Sequence, residues 1–210
     1  GSKNALKGVG FFLGGALLST VGFTAALAGM AVALLLVWLL SLGLLRQDLG
    51  KAKNKPKFRE VLSKSRAINL LSAARLFLFG ARDVWFVVGL PVFLYANGWR
   101  FLEVGGFLAA WTVAYGGVQG LSPMILRRLT GDRAPGPGLV AALGLGLSAV
   151  TELITLGLRF DGSPSLVMLG GLGLFGIAFA LNSAVHSYMV LAYSDADRVS
   201  LSVGFYYMAN

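Results

Sequence analysis

The chain has 210 residues, 56% of them hydrophobic and only 13% charged, with a mean hydropathy of +0.75. Soluble domains carry about 25% charged residues, so this composition excludes a free soluble enzyme. The formal charge is +9, from 18 basic and 9 acidic residues; in a soluble protein such an excess points to nucleic acid, but here its meaning depends on where the cations lie.

A hydrocarbon core about 30 Å thick takes roughly 20 helical residues. The first apolar run covers residues 5–45, about 61 Å as one helix. That length predicts two spans, broken near Ser19, Thr20, Val21 and Gly22. A polar stretch over 46–66 follows, with eight cations against Asp48 and Glu60. One long span is then predicted over 67–96, with charges inside it and a kink at Gly89 and Pro91. Further spans are predicted over 101–126, 139–158 and 166–193, and residues 199–210 begin another. The fold class is therefore all-α: a polytopic membrane bundle of six complete helices and part of a seventh. Solid apolar runs do not fit the alternation of a membrane barrel, and backbone in lipid must satisfy its own hydrogen bonds. The chain lacks an initial methionine and ends inside an apolar run, so it reads as an interior piece of a longer membrane protein.

Glycines in membrane helices let backbones approach. The pairs Gly10 with Gly14 and Gly116 with Gly120 have the required spacing, and Gly170, Gly171, Gly173 and Gly176 make one half-helix heavily small-sided.

The cations give an orientation. Lys3, Lys7, the eight between Arg46 and Arg66, Arg127, Arg128, Arg133 and Arg198 make 14 on one face of the membrane. Only Arg100 and Arg159 fall on the other. This asymmetry makes the first face cytoplasmic. The linker 46–66 is then a basic cytoplasmic connector suited to anionic headgroups. The cations mark topology and lipid contact, not nucleic acid.

Two cations remain, Arg75 and Arg82, both inside a span. A charge at mid-bilayer costs about 2.5–3.5 kcal/mol on insertion scales and so marks a pathway or a partner. Seven residues apart, they share one helix face about 10.5 Å apart. Asn69, Ser72 and Phe79 lie near that face, and Asp83 points about 100° away from Arg82. Two guanidiniums facing a cavity suit phosphate or carboxylate, because planar forks bind oxyanions in a bidentate way. The alternative is that Arg82 pairs with an acid on another helix and Arg75 reaches the cytoplasmic interface.

Matching polar positions occur on other spans. Trp111, Tyr115 and Gln119 follow an i, i+4, i+8 stripe, as do Asn182 and His186 on the 166–193 span. Tyr115, Gln119, Asn182 and His186 join Arg75 and Arg82 as candidate substrate contacts, although aromatic stripes also serve core packing. His186 is the sole histidine; it is either a proton carrier or a structural group bonded to Asn182 or Ser183. Glu152, Asp83 and His186 are the candidate proton-coupling groups, with Glu152 equally suited to pairing an arginine. Lys7 reads as a cytoplasmic anchor, with a cavity role as its alternative. No catalytic constellation, histidine metal cluster or phosphate-binding loop occurs, and the absence of cysteine removes thiolate chemistry. No enzyme activity, metal or cofactor is expected.

Two helices, a basic cytoplasmic loop and a second set opening on a charged helix resemble the middle of a major facilitator transporter. The 120–133 loop, with Arg127, Arg128, Gly131, Asp132 and Arg133, is similar to that superfamily's cytoplasmic Gly-Asp-Arg signature. The resemblance implies that 1–45 holds the last two helices of an N-terminal bundle. It makes 46–66 the linker and 67–210 the first four helices of the C-terminal bundle with the start of a fifth. The strings over 1–15 and 72–88 resemble the ArsJ family of organoarsenical efflux permeases. That resemblance implies a bacterial inner-membrane exporter of an anion, 1-arseno-3-phosphoglycerate, functionally linked to a glyceraldehyde-3-phosphate dehydrogenase that makes it from arsenate. The alternative is a major facilitator transporter of a drug or a sugar-like substrate.

Overall fold

A computed structural model describes residues 2–45, 65–131, 133–160, 163–196 and 199–209, with side chains from residue 6 onward. Most of the basic linker (46–64), Asp132, Arg198 and the side chain of Lys3 lie outside the described residues. The elements are α1 (Ser2–Leu44), α2 (Arg66–Asp83), a π-helical turn (Val84–Gly89), α3 (Leu90–Ala96), α4 (Phe101–Thr130), α5 (Pro137–Arg159), α6 (Pro164–Ala192) and α7 (Val199–Met208). No strand occurs among the described residues. Five helices are long and apolar enough to cross a membrane, with Arg66–Ala96 counted as one. This is the make-up of a multi-pass membrane helix bundle.

The expected count of six complete helices differs from five in α1 alone. Residues 2–44 are two helical stretches that meet at a kink at Gly22, with φ 78° and ψ 172°, inside the break expected near Ser19–Gly22; counted as one length they make the fifth long helix. That region of backbone space is essentially restricted to glycine. Nothing lies within 4 Å of a Cβ built on Gly22, so the residue is there for its conformation and not for space.

Close approach between helices falls on other glycines. A Cβ on Gly15 would stand 2.7 Å from the Phe101 carbonyl oxygen, and one on Gly105 would stand 2.9 Å from the Phe11 carbonyl oxygen. Gly8 packs in the same way on Ala109 and Val113. The first half of α1 thus lies antiparallel on α4. Gly10, Gly14 and Gly120 face open space, so the close approaches of α1 fall outside the expected Gly10–Gly14 pair. On α6, Gly171 meets Ile154 of α5 and Gly176 meets the Trp111 ring of α4, whereas Gly170 and Gly173 meet nothing.

The kink expected at Gly89 and Pro91 is a π turn that begins earlier, directly after Arg82 and Asp83. Leu90 N–H donates to the Trp85 carbonyl, five residues back, and Pro91, which has no N–H, follows at the start of α3. A second proline, Pro123, lies inside α4. It leaves the Gln119 carbonyl without its helical donor; the buried Ser122 hydroxyl donates to that oxygen at 2.7 Å.

The core has three layers along the bundle axis. Ile68, Leu71, Leu126, Val185 and Met189 pack at the end nearer the linker. Phe86, Leu94, Val104 and Leu172 pack at the opposite end. Between them lie Phe79, Tyr115, Leu147 and Phe179. The intramembrane charges sit in this middle layer.

Candidate functional site

The buried stripe of α2 is Ile68, Leu71, Ser72, Arg75 and Phe79, the spacing of one helix face turned inward. Helix periodicity therefore carries Arg75 into the core, where it is only 3% exposed. Its guanidinium carbon lies 3.9 Å from the Phe79 ring centre, 4.4 Å from Tyr206 and 4.5 Å from Tyr207. Nη1 donates to the Tyr206 hydroxyl at 2.8 Å. No carboxylate pairs with Arg75 among the described residues. The alternative, in which Arg75 reaches the membrane interface, does not occur: the guanidinium is held inside the bundle.

Arg82 is half-buried two turns further along α2. It rests on Phe79 at 4.7 Å and on Phe179 at 5.1 Å, so one phenyl ring lies against both guanidiniums. Its Nε donates to Asp83 Oδ1 at 2.6 Å, and Nη2 approaches the same oxygen. Neighbours on a helix point about 100° apart, so the long arginine side chain folds round to meet the carboxylate. The acid that pairs with Arg82 is thus on its own helix.

The α4 and α6 stripes meet the arginines. Trp111 and Tyr115 stack at 5.6 Å with an interplanar angle of 3°, and Trp111 Nε1 donates to the Leu172 carbonyl at 2.9 Å. Tyr115 lies beside Ser183 of α6. Asn182 and His186 are both buried and line a cavity of about 380 Å³ with Ser148 and Thr151 of α5. His186 lies 6.4 Å from Tyr206, ring centre to ring centre. Among the described residues, four buried polar atoms have no hydrogen-bond partner: Ser72 Oγ, Arg75 Nε, Asn182 Oδ1 and His186 Nδ1. A bond between the last two, which the sequence offered, is not made.

Arg75, Arg82, Tyr115, Asn182 and His186 are therefore brought into one polar middle layer. Gln119 is half-buried one turn beyond Tyr115. Glu152 is not among them. It is exposed on α5, while Ser148 and Thr151 turn to the cavity. Sequence reasoning missed Tyr206 and Tyr207, whose only signal was a tyrosine pair in a short apolar run. Lys7, whose alternative to an anchor was a cavity role, lines a cavity with Arg82, Asp83, Trp111, Thr112 and Tyr115. No known protein family, no curated protein and no solved structure matches the chain.

Proposed function

We propose that the chain belongs to a secondary transporter of major facilitator type that exports an anionic organoarsenical, 1-arseno-3-phosphoglycerate, by alternating access. The observation that carries this reading is a buried arginine with no paired carboxylate among the described residues, separated by one phenyl ring from a second arginine. Cations inside a span are retained against their insertion cost when they serve a pathway or a ligand. Guanidinium forks match phosphate and arsenate oxygens, and this substrate carries one group at each end. The arsenical itself rests on the resemblance of residues 1–15 and 72–88 to the ArsJ family. Absence of cysteine agrees with an oxyanion and not with trivalent arsenic, which prefers thiolates. The glyceraldehyde-3-phosphate dehydrogenase would supply the ester, and a bacterial inner membrane would be the site of export.

Arg82→Ala in the full-length protein, expressed with the dehydrogenase, is expected to lower arsenate export and resistance at least about tenfold, the worth of a charge-assisted hydrogen bond. Unchanged export at equal protein level overturns the arginine's role. The aromatic lining of Phe79, Trp111, Tyr115 and Phe179 favours a second reading, a drug or sugar-like substrate. Transport of such a neutral compound, insensitive to Arg82→Ala, selects that reading.

A further inference from the structure

Lys7, on the first half of α1, and Arg82 and Asp83, at the end of α2, line one cavity of about 70 Å³ closed by Trp111, Thr112 and Tyr115 of α4. We propose that this cavity is an oxyanion site. A phosphate, arsenate or carboxylate head binds between Lys7 and Arg82, and Asp83 is the resident counter-ion that it displaces from Arg82. The inference rests on the anion-transport reading and deepens it by naming the ligand group, the second cation and the internal competitor.

Three observations carry it. The first is size. A drug-sized ligand needs roughly 300 Å³ or more, whereas this space holds about two waters' worth of liquid volume, the scale of a tetrahedral head group.

The second is the state of the neutral polar groups around it. The Thr112 hydroxyl donates to the Leu108 carbonyl at 2.7 Å. Trp111 Nε1 donates to the Leu172 carbonyl, and Tyr115 lies beside Ser183. Recognition therefore falls on the charged side chains, Lys7, Arg82 and Asp83.

The third is the geometry of the ion pair. Arg82 spends Nε and Nη2 on a single carboxylate oxygen. A bidentate oxyanion offers two oxygens to the same fork. The Asp83 pair is half-buried rather than sealed in, so it is open to exchange. With the cavity empty of ligand the carboxylate neutralises Arg82; with an anion bound, Asp83 is left to Lys7 or water.

The site also spans the linker, since Lys7 precedes it and Arg82 follows it. A bound anion therefore ties α1 to α2 and α4, the contact that must change if the two sides of the linker move against each other.

The test is binding of 3-phosphoglycerate and of inorganic phosphate to the full-length protein in lipid nanodiscs, with neutral glycerol as control. Lys7→Gln and Arg82→Gln are each expected to weaken 3-phosphoglycerate binding at least about tenfold, and Lys7→Arg to retain it. Asp83→Asn is expected to tighten binding several-fold, because the competitor is gone. Lys7 is exposed, so its variants keep the test open if Asp83→Asn fails to fold. Wild-type affinity in Lys7→Gln, or weaker binding in folded Asp83→Asn, overturns the site. Binding that follows these variants without vesicle transport leaves the site standing and removes the transport reading. Anion transport with an unchanged KM in Lys7→Gln and Asp83→Asn does the reverse.

Discussion

Arg75 shows how one residue can be costly to place and yet cheap to replace. Its charge is held by three aromatic rings and one tyrosine hydroxyl. Desolvated cation–π contacts contribute about 2 kcal/mol, against an insertion cost of about 2.5–3.5 kcal/mol. Arg75→Met combined with Tyr206→Phe removes both and strands no buried hydroxyl, so melting of the purified protein in detergent is expected to stay within about 1 kcal/mol of wild type while anion export is lost. A structural role predicts the opposite pairing, loss of folding with export per folded molecule unchanged. Tyr206→Phe alone, by contrast, leaves Nη1 buried without its acceptor and is expected to destabilise by about 1.5–3 kcal/mol. The arginine face was legible in the sequence because seven residues make two turns. Its partner was not, because Tyr206 lies 131 residues away and nothing in local spacing selects one tyrosine from an apolar run. The Arg82–Asp83 contact was misjudged for a related reason: periodicity gives the direction of a Cβ, not the reach of an arginine.

At the level of elements, apolar run length located every long helix, because lipid demands about 20 residues whatever their order. It could not locate contacts. Spacing singled out Gly10 and Gly14, which face open space, while Gly8 and Gly15 make the crossing with α4. Choosing among glycines needs to know which face of α1 meets a partner, and α1 is apolar all round. The two sets differ in a measurable way. At Gly15 a Cβ meets carbonyl oxygen and Cα of α4, backbone that cannot step aside. Gly15→Ala is therefore expected to lower stability by about 1–3 kcal/mol, read as thermal unfolding in detergent. Gly14→Ala, with nothing within 4 Å, is expected to be neutral or slightly stabilising, since alanine is the better helix former. Equal effects at the two positions would mean that α1 does not cross α4 at Gly15. The π turn escaped the sequence as well. Proline announces that one donor is missing, but which carbonyls re-pair depends on the packing of Phe86 and Leu90 at the far end of the core.

For the whole molecule, helix direction constrains how α1 lies in a bilayer. Gly8 meets Ala109 and Val113, and Gly15 meets Phe101 and Gly105, so α1 runs toward the start of α4. Ile68 and Leu71 share a cluster with Leu126, and Leu94 shares one with Val104, so α2 and α3 run the same way. Gly22 therefore stands at the end of the bundle near the 97–100 turn, while Arg66 stands at the other end. The chain must recross the bilayer between them. Residues 23–44 are the segment available: about 33 Å as a helix, matching a core of about 30 Å, with Ala26 its only buried residue. A helix apolar on every side belongs in lipid. The glycine-only backbone at Gly22 is the point at which the direction can reverse. The chain has no cysteine, so single-cysteine variants report topology without background. Ser19→Cys and Asn97→Cys are expected to react with a membrane-impermeant maleimide added outside intact cells. Ser65→Cys and Ala134→Cys are expected to react only after permeabilisation if the excess of cations marks that face as cytoplasmic. Labelling of Ser19→Cys and Ser65→Cys from the same side would show that residues 23–44 do not cross, and that α1 is one long helix with its second half outside the bundle.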